Sequence, residues 1–265
     1  MNTPSLPLQV TQATEFLIDT LGETLQGIYL YGSYVMGGLQ HKSDIDLFVL
    51  VNQTLSLEIK KVLIEQLLVL SGEIDNNQGK RYLEVTIINQ SELSSLEFPL
   101  YREFQYGEWL REEYTKGYIP ETVKDEDLTI LLRKVRLNSL TLYGKEATEV
   151  IPTISDTVFN KAILSSLPNL IKEIEDDEIN VILTLCRMYY SVQTGEVISK
   201  DKAIDYLLPI APDEFKPLLL NAKAVYLGES NNLQDTDVDL LHQFSAFMTT
   251  LIKTKNEIKS QNTWY

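Results

Sequence analysis

Two aspartates separated by one residue, Asp44-Ile-Asp46, open the apolar run Leu47-Phe-Val-Leu-Val. On a strand, side chains two apart leave the same face, so this pair sets two negative charges side by side. Such charges repel unless a divalent cation sits between them. Magnesium suits the pair, because it takes oxygen ligands, often one or two carboxylates completed by substrate phosphates. Eleven residues before Asp44 comes Gly32-Ser33, on the turn after Ile28-Tyr-Leu-Tyr. There a glycine lets backbone approach a phosphate and Ser33 can donate to it. A further carboxylate, Glu84, lies in the apolar run Arg81-Tyr-Leu-Glu-Val-Thr-Ile-Ile. If the strands are neighbours, Asp44, Asp46 and Glu84 converge. Taken singly, each element has an ordinary explanation as a solvated strand end, a turn or an edge residue. The frame they form together favours chemistry.

The chain around this frame alternates helix and strand. Apolar spacing predicts a helix from about Leu8 to Leu25, and Gly27 opens the strand Ile28–Tyr31. A second strand is expected over Asp44–Val51, then a helix capped by Thr54 or Ser56 and ending near Ser71-Gly72. Arg81–Ile88 reads as a third strand, and helices are expected over Tyr101–Thr115 and from Asp127 to Leu142, closed by Gly144. Beyond Pro152 the strand signals fade. Helical spacing follows near Asp156–Glu173, Glu178–Gln193, Lys200–Leu208, Glu214–Leu227 and Val238–Ile258. The expectation is an α/β domain with a small mixed sheet over residues 1–155 and an all-α domain over 156–265 that closes a cleft.

Composition removes several classes of function. The chain has 265 residues with 23 Lys+Arg against 38 Asp+Glu, a formal charge of -15. That balance is unfavourable for nucleic-acid phosphates and anionic membranes. One cysteine, Cys186, excludes an intramolecular disulfide and a cysteine-rich zinc site, and its apolar surroundings suggest an inert buried thiol. His41 and His242 are isolated and receive no catalytic role. No secretory signal is evident and apolar runs are too short to span a bilayer, so the cytoplasm is the expected compartment.

Gly32-Ser33 followed by Asp44-Ile-Asp46 resembles the signature of the polymerase-β-like nucleotidyltransferases. The likeness narrows through Gly37-Gly-Leu, Leu83-Glu-Val-Thr, Arg102-Glu-Phe-Gln-Tyr-Gly-Glu-Trp-Leu-Arg, Asn180-Val-Ile-Leu-Thr-Leu, Ser191-Val-Gln-Thr-Gly and Ala224-Val-Tyr-Leu-Gly. These are similar to the streptomycin/spectinomycin branch of the aminoglycoside nucleotidyltransferases, over nearly the whole chain. The resemblance implies a polymerase-β-like domain followed by a helical bundle, and transfer of AMP from ATP to a drug hydroxyl. It implies Asp44, Asp46 and Glu84 as magnesium ligands, with Glu84 also the general base. Ser33, Ser43, Asp127, Lys200 and Tyr226 would contact ATP, and Trp109, Asp177 and Asn180 would meet the drug together with Glu84. Lys200, from the second domain, would reach phosphate when the cleft closes, and the protein is expected to act as a monomer.

Two rivals differ in class. A catalytically silent nucleotidyltransferase-fold partner of a toxin–antitoxin pair could keep the fold without needing Glu84. A nucleotidyltransferase acting on RNA would call for a basic track that this acidic chain lacks, whereas a protein target stays open. On drug identity, the stretch Leu167–Asn180 is compact, lacks Trp and can continue as helix almost to Glu175, which resembles the spectinomycin-specific branch. Trp109 points towards the dual enzymes that also take streptomycin. The short stretch carries more weight, and the expectation is transfer to the 9-hydroxyl of spectinomycin.

Overall fold

The computed structural model describes residues 6–36, 43–73, 79–95, 98–230 and 237–262, with side chains as far as residue 254. Gly37-Gly-Leu and His41 lie outside the described residues. The chain divides into two compact units, the first ending at Thr153 and the second beginning at Ile154.

The first unit runs α1 (Leu8–Leu21), β1 (Leu25–Tyr31), β2 (Ile45–Val51), α2 (Leu57–Leu70), β3 (Leu83–Asn89) and α3 (Glu92–Ser95). It continues with β4 (Leu100–Arg102), β5 (Phe104–Tyr106), α4 (Arg111–Thr115), β6 (Val123–Asp125), α5 (Leu128–Leu137), β7 (Leu140–Gly144) and α6 (Ala147–Val150). Five strands form one mixed sheet in the order β5-β3-β2-β1-β7, and β4 pairs with β6 apart from it. Only β2 and β3 run parallel, the antiparallel partners being β1 with β2, β1 with β7 and β3 with β5. A parallel pair needs a long crossover, and α2 supplies it. Ser56 caps that helix, its Oγ accepting from the Ile59 amide at 3.3 Å.

Strand alternation divides the sheet into two faces. Ile28, Leu30, Leu47, Val49, Val85, Ile87, Phe104 and Tyr106 join Val10, Ala13 and Leu17 of α1 and Leu63 and Leu67 of α2 in one buried cluster. The opposite face carries Tyr31, Asp46 and Glu84 in one row, and Tyr29, Phe48, Thr86 and Gln105 in the next, as the register dictates. Apolar packing on one face thus fixes which side chains must stand on the other.

Sequence and structure part company at four places. The first part of the expected helix Tyr101–Thr115 is strand: Phe104 and Tyr106 alternate into the core against β3, so a period of two overrides the helical spacing and α4 starts only at Arg111. The helix expected to run to Leu142 stops at Leu137, where Asn138 leaves helical geometry, and Leu140–Gly144 joins the sheet beside β1. Strand β1 begins at Leu25 rather than after Gly27, because Leu25 is already a buried core residue. Asp44 and Arg81-Tyr82 precede their strands, which start at Ile45 and Leu83.

The second unit contains α7 (Asp156–Lys172), α8 (Glu178–Thr194), α9 (Lys200–Leu207), α10 (Lys216–Leu227) and α11 (Val238–Asn262). Helix α7 accommodates Pro168 and ends at Lys172, three residues short of Glu175. Phe215 and Phe244 meet edge to face at 5.5 Å in its core. Cys186 is buried there, and burial raises its thiol pKa, which suits an inert side chain. His242 pairs with Glu175 at 2.8 Å. Among the described residues no helix is long and apolar enough to cross a membrane.

A buried ion pair ties the start of β5 to α2. Lys60 Nζ lies 3.3 Å from Glu103 Oε1, with both side chains at most 6% exposed. Lys60 also donates to the Glu103 carbonyl at 2.7 Å, while the Leu55 amide and Thr122 hydroxyl donate to the Glu103 carboxylate at 2.9 and 3.1 Å. Removing one partner of such a pair leaves an uncompensated buried charge. Lys60→Met should therefore cost about 3–5 kcal/mol in urea unfolding. The double variant Lys60→Met/Glu103→Gln should cost less than the sum of the two single changes, and simple additivity would contradict the pairing.

Candidate active site

Pairing of β2 with β3 sets Asp46 directly opposite Glu84, and pairing of β1 with β2 sets Tyr31 opposite Asp46. The turn that follows β1, Gly32–Tyr34, folds over the same end of the sheet. Gly32 has φ +76°, and a Cβ built there would lie 1.8 Å from Asp46 Oδ2. Position 32 is therefore glycine on two grounds, backbone conformation and the volume that the Asp46 carboxylate occupies. Ser33 follows with a buried Oγ that has no hydrogen-bond partner among the described residues. A buried hydroxyl left in that condition calls for a partner from outside the chain.

The electrostatics converge on Glu84. Its pKa is raised from 4.5 to about 7, first by burial and then by the neighbouring Asp46 charge. Asp44 adds to the rise, whereas Lys134 of α5 and a hydrogen bond from Gln105 oppose it. Gln105 Nε2 donates to Glu84 Oε1 at 3.3 Å. Lys134 also sits over the Tyr31 ring, 4.8 Å from its centroid. The Tyr31 hydroxyl is held neutral by burial and by the charges of Glu84 and Asp46. The site is thus a set of carboxylates with one nearby ammonium, an arrangement that favours a cation between the aspartates and a proton acceptor beside them.

Other residues named from sequence take these places. Ser43 precedes β2, and its carbonyl accepts from Arg81 Nη1 at 2.8 Å. Asp127 occupies the N-cap position of α5, its amide donating to Asp125 Oδ1 at 2.8 Å. Trp109 is 57% exposed on the short turn Glu108–Leu110, which makes it neither a core residue nor part of an α-helix. Its ring lies over Gly107, where a Cβ would come within 2.3 Å of it. The turn is pinned from below by buried Glu108, which accepts from Ser71 Oγ at 2.7 Å and Tyr106 OH at 3.2 Å and pairs with Arg111.

In the helical unit, Lys200 Nζ donates to Asn180 Oδ1 at 3.0 Å and lies 5.9 Å from the Tyr226 ring centroid. Lys200 thus links two other residues expected to bind substrates. Lys200, which from sequence alone could have been a surface lysine, is partly buried in this group. Asp177 stands exposed at the N-cap of α8 without a side-chain cap bond.

Sequence reasoning missed Tyr31, Gln105 and Lys134 as neighbours of Glu84. For Gln105 a signal existed: if Phe104 and Tyr106 face the core, the residue between them must face Glu84. Reading that stretch as helix concealed it. Lys134 carried no comparable signal, because its approach depends on the packing of α5.

No group of three or more His, Cys, Asp or Glu among the described residues is arranged to hold a metal ion by itself. A magnesium ion needs fewer protein ligands when a triphosphate completes its shell. The close approach of Asp46 to Gly32, the orphaned Ser33 hydroxyl and the mutual charge of Asp44, Asp46 and Glu84 fit such an ion and its nucleotide.

Comparison with known proteins agrees with this geometry. Residues 15–102 match the family model for the polymerase beta nucleotidyltransferase domain, and residues 149–251 match that for the aminoglycoside adenylyltransferase C-terminal domain. A spectinomycin 9-adenylyltransferase of Campylobacter jejuni is 45% identical over 89% of this chain and 90% of its own. One from Staphylococcus aureus is 43% identical over 94% of this chain and 96% of its own. The crystal structure of a spectinomycin adenyltransferase from Enterococcus faecalis with ATP and spectinomycin superposes with a TM-score of 0.87, at 35% identity, covering 92% of this chain and 98% of that one. A nucleotidyltransferase sheet that carries Asp46 and Glu84 side by side, followed by a matching helical domain, makes the chain a member of the aminoglycoside adenylyltransferase family.

Proposed function

We propose that the protein transfers AMP from ATP to the 9-hydroxyl of spectinomycin and so inactivates the antibiotic. The observation that carries this reading is Glu84 beside Asp46 at the Gly32-Ser33 turn, in a chain 43–45% identical to spectinomycin 9-adenylyltransferases. In the reaction the drug oxygen attacks the α-phosphorus, the bond to the bridging oxygen breaks, and pyrophosphate leaves with that electron pair. Glu84 takes the hydroxyl proton on its carboxylate. Its raised pKa makes it a better base than an exposed carboxylate, while Lys134 and Gln105 favour its charged form. Ser33 donates its hydroxyl to the triphosphate, with Ser43 and Asp127 as further nucleotide contacts. Asp44 and Asp46 would hold magnesium, which supplies charge neutralisation at the phosphates. Lys200 and Tyr226 are proposed as further ATP contacts, and Asn180, Asp177 and Trp109 as drug contacts. The acidic surface suits a drug with protonated amines.

Drug choice follows from the helical unit. Only residues 173–177 separate α7 from α8, a connection without Trp or added length. A compact connection of this kind supports spectinomycin over the bulkier streptomycin, with Trp109 as the opposing feature. Steric limits discriminate more firmly than a lost contact.

Mass spectrometry of each drug after incubation with the protein and Mg-ATP tests the assignment. Spectinomycin should gain one AMP and streptomycin should remain essentially unmodified; equal modification of both would refute the selectivity, and modification of neither would refute the reaction. Glu84→Gln should lower kcat by about 10²–10⁴, the usual share of general-base catalysis, with KM for spectinomycin little changed. The same variant has a second consequence, in the metal-free protein. Between about pH 4.5 and 7 the folded state keeps a proton on Glu84 that the unfolded chain has released, so this residue costs stability as pH rises through that window. In EDTA, Glu84→Gln should thus exceed the parent at pH 8 by on the order of 3 kcal/mol and approach it near pH 4.5. An equal effect at both pH values would contradict the raised pKa.

A further inference from the structure

Gln105 lies on the sheet face that carries Glu84, between the core residues Phe104 and Tyr106, and is only 8% exposed. Its strand is held on both sides of the side chain: Gln105 is the register partner of Thr86, and its carbonyl accepts from Tyr114 OH at 3.0 Å. The amide makes two different contacts. Its Oε1 accepts from Arg102 Nη1, and its Nε2 donates to Glu84 Oε1 at 3.3 Å. A guanidinium has donors and no acceptor, so the amide oxygen must face Arg102 and the NH₂ must face Glu84. Were the amide free to turn over, it would set a carbonyl against a carboxylate. Arg102 is itself anchored, with Nη1 2.9 Å from Asp125 Oδ2, while the other oxygen of Asp125 accepts from the Asp127 amide at 2.8 Å. An unbroken series of polar contacts therefore runs from the start of α5 through Asp125, Arg102 and Gln105 to Glu84.

We infer that Gln105, locked in one amide orientation by the Asp125–Arg102 pair, is a positioning residue that aims the Glu84 carboxylate at the drug hydroxyl. The inference rests on the reading of Glu84 as the base. It does not require Gln105 or Arg102 to touch either substrate. Packing of the sheet alone would be served as well by an apolar side chain at position 105, which is what makes its polarity informative. The arrangement also fastens Glu84 to the first turn of α5, where Asp127 is proposed to meet ATP, so base and nucleotide contact share one rigid connection.

Steady-state kinetics with spectinomycin and Mg-ATP on Gln105→Met, Arg102→Met, Arg102→Lys and the double methionine variant test the inference. Each methionine variant should lose about 10–100-fold in kcat, the scale of a small misplacement of a reacting group, with both KM values within about threefold of the parent. The double variant should be no slower than the slower single one, because both changes release the same amide. Arg102→Lys should restore part of the rate, since an ammonium still prevents the amide from turning over. Unchanged kcat, losses confined to KM, or multiplying losses in the double variant would overturn the inference. If Arg102→Met fails to fold, Gln105→Met and Gln105→Glu carry the test, the latter expected to be slower still because it sets a carboxylate against Glu84. Glu84→Gln separates the two levels of the argument. Full kcat in that variant would remove the base and the positioning role together, whereas a slow Glu84→Gln beside a fast Gln105→Met would overturn the positioning role alone.

Discussion

Asp46 and Glu84 are register partners on parallel strands, and the cost of holding two carboxylates together is the constraint around which this unit is built. Repulsion would drive them apart, but the strands cannot separate. Both strands are fixed from beneath by Leu47, Val49, Val85 and Ile87, which are fully buried against α1 and α2. A slip of one residue would relieve the repulsion and at the same time turn every core side chain to the wrong face. Apolar packing therefore enforces an unfavourable electrostatic arrangement, which adds to burial in raising the pKa of Glu84. Proteins often carry such local disfavour at sites of chemistry, where a cation or a proton relieves it.

Compensation comes from groups reached through tertiary structure. Lys134 supplies a positive charge from α5, while Gln105 offers a single correctly oriented donor from the sheet edge. The Lys60–Glu103 pair and the Glu108 cluster work differently. They lie beyond the site and help to fix the segment 98–111 by satisfying buried polar atoms, adding to the core packing of Phe104 and Tyr106 in the short strand β5.

The parts legible in the sequence were those set by local pattern. Asp44-Ile-Asp46 and Glu84 stood out because charged residues interrupt apolar runs, and the helices after residue 156 followed from unbroken apolar spacing. The segment from Tyr101 to Gly144 was less legible because its elements are short. Strands of three residues offer too few alternations to outweigh helical spacing, and β7 is recognised only once β1 is there to pair with it. The same shortness hid Gln105. Lys200, Asn180 and Tyr226 could be named by resemblance, but their contact depends on how α8, α9 and α10 pack.

The contact between Gly32 and Asp46 has a genetic consequence. Since the aspartate oxygen fills the space in which a side chain at position 32 would begin, the two positions cannot diverge independently. Every nucleotide change that alters a glycine codon's meaning adds at least one carbon atom or ends translation, so this site has no neutral neighbour in sequence space. Populations that carry the gene without selection for it should accumulate silencing changes there as readily as at the aspartates themselves. Reversion would then require the original codon class, because no second-site change short of moving Asp46 makes room.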